Sequence, residues 1–190
     1  MASHVALLRG INVGGRNKVP MAELRDVVTS LGHTEVTTYI QTGNVLFSTQ
    51  ETDTARLAAS LEEAIVSRFG IWASVVVLSR EQLARTLRDN PYPDAPNPKF
   101  VHVVFMNAEP PRDLLERIQA AESKATAKGS HDTFAAVGEV LFLHTPDGYG
   151  TSELAEAVFR IIGSPGKTGT AATARNWVTC TKLLSLCEEA

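Results

Sequence analysis

Cationic side chains and glycines are concentrated between residues 9 and 18, in the segment RGINVGGRNK. Its cations are Arg9, Arg16 and Lys18. Gly14 and Gly15 allow successive backbone N–H groups to form a nest for an anion, and cationic side chains add charge-assisted hydrogen bonds. These residue types at this spacing predict binding of a phosphate or a carboxylate. A simple tight turn, for which glycine is equally suited, is the alternative explanation.

A second basic segment precedes the predicted C-terminal helix. Residues 163–175 read GSPGKTGTAATAR and lead into Asn176 and Trp177. An arginine before a helix N-cap can hold an anion at the helix start, and an indole can pack on a planar group. We therefore expect Arg175, Asn176 and Trp177 to form one ligand site with residues 9–18, provided that folding brings the two segments together. An exposed sheet edge is the alternative for 163–175.

Charge is distributed unevenly along the chain, whose net charge is −3. Residues 1–22 carry three basic side chains and residues 157–187 carry four, without an acidic one in either range. A field of this kind concentrates small anions near these two segments. The acidic net charge and the aromatic content of 6% argue against nucleic acid as a partner. A phosphate-bearing metabolite or a nucleotide fits better.

Three amide side chains are candidates for orienting such a ligand. Asn12 lies in the basic loop, whereas Gln41 and Asn44 flank Gly43 between two runs of β-forming residues. Amides at such positions can hydrogen-bond a ligand, or they can satisfy the backbone of the turn itself. Both explanations remain open for these residues.

Known catalytic and metal-binding motifs are absent from the sequence. It contains no G-x-S-x-G, H-E-x-x-H or C-x-x-C pattern, so no catalytic residue is assigned and no metal or cofactor is expected. Gly10 to Gly15 has the glycine spacing of a P-loop but continues with Arg16 and Asn17 instead of Lys and Ser or Thr. Cys180 and Cys187 are seven residues apart on a predicted helix, too far for a disulfide, and are interpreted as core residues.

An internal repeat predicts the scaffold that positions these residues. Residues 38–47, TYIQTGNVLF, return as residues 133–142, TFAAVGEVLF, 95 positions later. Helical and β patterns around each copy follow the order βαββαβ, which is that of a ferredoxin-like sandwich. We predict an α+β fold with two tandem ferredoxin-like modules related by duplication, each followed by an extra helix. The second copy replaces the basic loop by a connection of about four residues, 106–109.

Prolines recur through residues 91–98 and predict a stiff linker. The expected domains are therefore residues 1–90 and 99–190. No apolar run is long enough to span a bilayer, and Val5–Leu8 is too short for the core of a signal peptide. We expect a cytoplasmic protein without a membrane partner. Homodimerisation stays open, because one face of each predicted sheet needs a cover.

Three blocks of the sequence are similar to one family: RGINVGGRNKVPMAELRDVV, TTYIQTGNVLFS and TARNWVTCTKLL. They closely resemble the bacterial domain-of-unknown-function family 1697, and the resemblance covers nearly the whole chain. It implies a duplicated ferredoxin-like fold and no established activity.

Two functional hypotheses follow from the sequence. The first is a protein that binds a small anionic ligand between the 9–18 loop and the 163–177 segment. The alternative is a structural or dimerisation module in which Asn12 and Asn44 cap turns and Trp177 clasps the two modules. The identity of the ligand is left open.

Overall fold

The structure is a computed structural model that describes residues 1–163 and 170–189. These residues form an α+β fold with two four-stranded antiparallel sheets and six α-helices. The chain divides into two compact units, Met1–Arg85 with Thr181–Ala190 and Thr86–Cys180. The predicted linker at 91–98 lies inside the second unit.

The first unit contains a sheet with the strand order β2-β3-β1-β4. Its strands are β1 (His4–Leu8), β2 (Thr34–Tyr39), β3 (Asn44–Ser48) and β4 (Val75–Ser79). Helices α1 (Met21–Ser30) and α2 (Thr54–Phe69) pack their apolar stripes on one sheet face, where Leu24, Leu61 and Ile65 are fully buried. Helix α3 (Arg80–Arg88) follows β4.

The second unit contains a sheet with the order β6-β7-β5-β8. Its elements are β5 (Val101–Met106), α4 (Arg112–Thr126), β6 (Thr133–Val137), β7 (Val140–His144), α5 (Glu153–Ile162) and β8 (Ala172–Asn176). Helix α6 (Trp177–Glu189) follows β8. The segment 163–175 thus ends in an edge strand that pairs with β5, and its residues 164–169 lie outside the described part of the chain.

Two helices of the first unit begin at caps made by neighbouring side chains. Asp53 accepts hydrogen bonds from the Ala55 and Arg56 amides at the start of α2. Before α3, the Gln82 amide donates to Ser79 Oγ at 3.1 Å and the Ser79 amide donates to Gln82 Oε1 at 2.7 Å, which makes a capping box.

The hairpins of the two units differ in register from the sequence repeat. The sequence repeat aligns Val45 with Val140. In the structure, Ala6 of β1 pairs with Val45, whereas the corresponding Val104 of β5 pairs with Leu141, one residue beyond Val140. A slip by one residue would turn every core side chain to the wrong face, so burial decides the register. The first hairpin therefore has four turn residues, 40–43, and the second has two, 138–139.

The described residues contain neither a membrane-spanning helix nor a cluster of metal-binding side chains, and both cysteines are free. Within the described residues, no helix combines the length and apolar character that crossing a bilayer requires. Cys180 and Cys187 are buried free thiols, and burial raises the pKa of Cys180 to about 12. The same part of the chain contains no group of three or more His, Cys, Asp or Glu side chains arranged for a metal ion.

Candidate functional site

The segment between β1 and α1, residues 9–18, folds into a compact loop that we call the glycine loop. At its tip the Arg16 amide donates to the Val13 carbonyl at 3.1 Å, and Gly14 and Gly15 between them have φ of 58° and 75°. Two consecutive positive φ angles are those of a type I′ turn. The two glycines therefore shape an exposed turn.

Asn12 fastens the base of the glycine loop. Its Nδ2 donates to the Val19 carbonyl at 2.9 Å and to the Gln41 carbonyl at 3.0 Å, while its Oδ1 accepts from the Val19 amide at 2.8 Å. Gln41 belongs to turn 40–43 of the hairpin. The Asn12 side chain thus joins the two segments that are longer in the first unit than in the second.

Turn 40–43 packs closely on the end of β1. Gly43 has φ of 81°, and a Cβ placed on it would lie 2.8 Å from Leu8 Cβ and 3.0 Å from Ile11 Cδ1. Its carbonyl accepts a hydrogen bond from the Leu8 amide at 2.8 Å. The side chain of Asn44 is fully buried and donates to the Tyr39 carbonyl at 3.0 Å. Asn44 therefore holds the turn from inside the unit.

The glycine loop, turn 40–43 and the start of α1 enclose an open depression of about 390 Å³. Its lining consists of Asn12, Gly15, Lys18, Val19, Pro20, Met21 and Gln41. The structure thus brings together four of the predicted site residues, and it leaves Arg9, Gly14, Arg16 and Asn44 outside the lining. Lys18 and Arg16 are exposed, and neither has a carboxylate partner within residues 1–163 and 170–189.

Helix α1 adds a positive end to this depression. It follows Pro20, which provides no side-chain hydrogen bond to the first turn, so the N–H groups of that turn have no cap of this kind. The helix dipole places partial positive charge there. Glu23 lies in the first turn, but its carboxylate is paired with Arg68 of α2. The electrostatic field near Pro20 and Lys18 therefore favours an anion.

The three predicted C-terminal residues lie in the second unit and support its β8–α6 junction. Arg175 is 8% exposed and donates from Nη1 to Thr173 Oγ1 and to the Ala174 carbonyl, both at 2.8 Å. Burial lowers the pKa of Arg175 to about 10. Asn176 Oδ1 accepts from the Val178 amide at 3.0 Å, and Trp177 is the first residue of α6. Their part in a ligand site stays a prediction.

Sequence reasoning missed three residues near the depression. Val13 at the loop tip is 62% exposed, and Ile40 in the turn is 48% exposed with φ of 51°. Ser74 is buried beneath the loop, where its carbonyl accepts from the Arg9 amide, and its Oγ has no hydrogen-bond partner among the described residues. A β-branched residue beside a turn was the available signal, and it applied to both Val13 and Ile40.

Comparisons with known proteins place the chain in a family. Curated proteins give no significant match. The fold is similar to that of the conserved bacterial protein SP0830 from Streptococcus pneumoniae, with 24% sequence identity, a TM-score of 0.67 and 98% of each chain covered. Residues 1–148 match the family described as Protein of unknown function (DUF1697). The chain therefore belongs to the family of proteins of unknown function DUF1697.

Proposed function

We propose that this protein binds a small anionic, phosphate-bearing or nucleotide-like ligand in the depression of the first unit. One observation carries the proposal: Lys18, which has no carboxylate partner in the described chain, lines the same depression as Pro20 and Met21 at a helix start that no side chain caps. Gly15 and Gln41 add polar groups to the same lining. The contribution predicted for Arg175, Asn176 and Trp177 is a separate hypothesis that this site does not require.

The size and chemistry of the depression suit a ligand of this class. A volume of about 390 Å³ falls within the range of small-molecule sites. Three or four charge-assisted hydrogen bonds, at about 1.5 to 3 kcal/mol each before entropy costs, support affinities in the micromolar to millimolar range. The lining also includes the apolar side chains of Val19, Pro20 and Met21, so the ligand can be larger than a bare phosphate.

The scaffold around this site is, in our proposal, a duplicated ferredoxin-like module. The matching strand orders β2-β3-β1-β4 and β6-β7-β5-β8 support this origin. Helices α1 and α2 follow β1 and β3 as α4 and α5 follow β5 and β7. Duplication explains why the glycine loop and turn 40–43 stand out as additions.

A structural or dimerisation module is the second candidate function. The amide of Asn12 is used entirely within its unit, and that of Asn44 holds the hairpin turn. These contacts are what an architectural role requires. A direct binding measurement separates the two functions.

The test is a titration of ¹⁵N-labelled protein with inorganic phosphate and with adenosine monophosphate, followed by amide chemical shifts. We expect saturable shifts at Gly15, Lys18 and Met21, and an affinity about tenfold lower in Lys18→Gln. Lys124→Gln, which removes an exposed cation from α4, is the matched control and leaves the affinity unchanged. Equal affinities in Lys18→Gln and wild type would refute this site, and an absence of shifts at millimolar ligand would favour the structural function.

A further inference from the structure

The second unit contains a polar cavity that is separate from the proposed anion site. Two connections supply its lining: residues 127–132, between α4 and β6, and residues 145–152, between β7 and α5. The ends of α4 and α5 next to these connections complete it, and the volume is about 200 Å³. Three segments of one unit therefore converge on this space.

Asp132 is the buried charged residue of the cavity lining, with 4% of its surface exposed. Its Oδ2 accepts a hydrogen bond from Ser152 Oγ at 2.7 Å. Within residues 1–163 and 170–189, its Oδ1 has no hydrogen-bond partner and its carboxylate has no cationic partner. Burial of a carboxylate is costly unless an opposite charge or further hydrogen bonds compensate it. Because Asp132 lines the cavity, a molecule in the cavity can supply that compensation.

The other charged side chains of the lining do not neutralise Asp132. Asp147 and Glu153 are further carboxylates, and Lys128 is a cation. The ammonium group of Lys128 lies 2.6 Å from Glu153 Oε2, so it is already paired. Asp147 Oδ2 lies 3.2 Å from Nδ1 of His131, an exposed side chain that is charged only when protonated. The described lining, with three carboxylates and one ammonium group, therefore attracts a cation.

The oxygen groups of the cavity favour an organic ammonium over a metal ion. Ca²⁺ and Mg²⁺ take about six or more oxygen ligands, and the described residues contain no group of three acidic or histidine side chains arranged for a metal. A primary ammonium instead needs three hydrogen-bond acceptors, which one carboxylate and the hydroxyl groups of Ser130 and Thr151 can provide. The volume is below the about 300 to 1,000 Å³ of most ligand sites, so the ligand must be small.

We infer that this cavity binds a small aliphatic amine, whose ammonium group forms a salt bridge with Asp132. Asp147 and Glu153 attract the amine to the cavity. Lys128 opposes it, because its own ammonium group competes for the same carboxylates. The inference uses residues of the second unit alone, so it and the anion site of the first unit can each fail without the other.

The experiment is a titration of the ¹⁵N-labelled full chain with 1,4-diaminobutane at constant ionic strength, followed by amide chemical shifts. We expect saturable shifts at Ser130, Asp132 and Thr151. In Asp132→Asn, which keeps an acceptor for Ser152, the affinity should be about tenfold lower because the charge-assisted bond is lost. Asp94→Asn, which removes an exposed carboxylate of the same unit, is the matched control and leaves the affinity unchanged.

A second variant changes the affinity in the opposite direction. Lys128→Gln removes the competing ammonium group from a half-exposed side chain, so the amine should bind about threefold more tightly. A variant that merely loosened the fold would weaken binding instead. This arm keeps the test decisive even where Asp132→Asn does not fold.

Four results would overturn the amine site. The first is an absence of saturable shifts at millimolar 1,4-diaminobutane, and the second is equal affinity in Asp132→Asn and wild type. The third is unchanged or weaker binding in Lys128→Gln, which contradicts the electrostatic basis of the site. The fourth is equal binding of 1,4-butanediol, the uncharged analogue. Calcium ions that shift the same amides when the amine does not would assign the cavity to a metal ion and also overturn the inference.

Discussion

The two units are alike at one end of their sheets and different at the other. At the end where β1 and β5 begin, His4 and His102 occupy equivalent positions opposite Ser79 and Asn176. Ser79 and Asn176 each accept a hydrogen bond from an amide at the start of the helix that follows, α3 or α6. Similar residues thus perform the same structural task twice.

At the opposite end the units diverge. In the second unit, Asn107 follows β5 directly and exchanges hydrogen bonds with Ala171, through its amide at 3.1 Å and its Oδ1 at 2.9 Å. In the first unit, Asn12 instead holds the glycine loop against turn 40–43. The glycine loop and turn 40–43, which we call the two additions because both are longer than their counterparts in the second unit, contact each other and enclose the depression. The shared end is structural, and the divergent end is where a ligand site is proposed.

Adding a side-chain atom where turn 40–43 packs on the end of β1 should have the largest effect on stability. Gly43→Ala places a Cβ against Leu8 and Ile11 at a positive φ, and we expect a loss of about 3 kcal/mol in the free energy of unfolding. Gly138→Ala, in the open turn of the second unit, should cost only about 1 kcal/mol for its φ of 56°. Urea denaturation measures both, and equal losses would contradict the difference in packing.

Detaching the two additions from each other should have the next largest effect. Asn12→Gly keeps the positive φ but removes three hydrogen bonds, so we expect a loss of about 2 kcal/mol in unfolding free energy. Phosphate affinity should fall at the same time, because the loop leaves the depression. Asn107→Gly is the counterpart in the second unit and should leave phosphate affinity unchanged. Phosphate binding that survives in Asn12→Gly would show that the site does not need the joined additions.

The shared end predicts a pH effect. Burial lowers the pKa of His102 from 6.5 to about 4. As the pH falls, this histidine is therefore protonated at a higher pH in the unfolded chain than in the folded protein. Stability should therefore be lost between pH 6.5 and about 4, by about 1.5 kcal/mol for this partly exposed side chain. Thermal denaturation across this range should show a shallower decline in His102→Phe than in wild type. The pKa of His4 is also lowered by burial, but the charge of Glu81 opposes the shift, so His4→Phe should flatten the decline less. Parallel declines in wild type and His102→Phe would contradict this account.

The smallest effect on stability is expected for Lys18, the cation of the proposed site. Lys18→Gln should change the unfolding free energy by less than about 0.5 kcal/mol, because its side chain is exposed and forms no ion pair in the described chain. Chemical denaturation beside the phosphate titration measures the two effects together. A loss above 1 kcal/mol would indicate that Lys18 serves the fold and would favour the architectural function.

Features that depend on near neighbours could be predicted from the sequence. The capping box of Ser79 and Gln82, the N-cap of Asp53 and the hairpin strands 133–137 and 140–144 follow from side-chain type and alternation within a few residues. The extra length of the glycine loop was equally visible, because the second copy makes the same connection with fewer residues. Backbone hydrogen bonding and apolar periodicity carry this local information.

Other features depended on contacts between distant parts of the chain. The hairpin register follows core burial and differs by one residue from the letters of the repeat. The bond from Asn12 to Gln41 spans 29 residues. Ile40 has its positive φ in a turn where the carbonyls on either side of it, those of Tyr39 and Gln41, accept hydrogen bonds from Asn44 and Asn12. Burial of Arg175 was likewise invisible in a polar segment. Such features depend on which surfaces pack together, and residue types within a short window do not specify that packing.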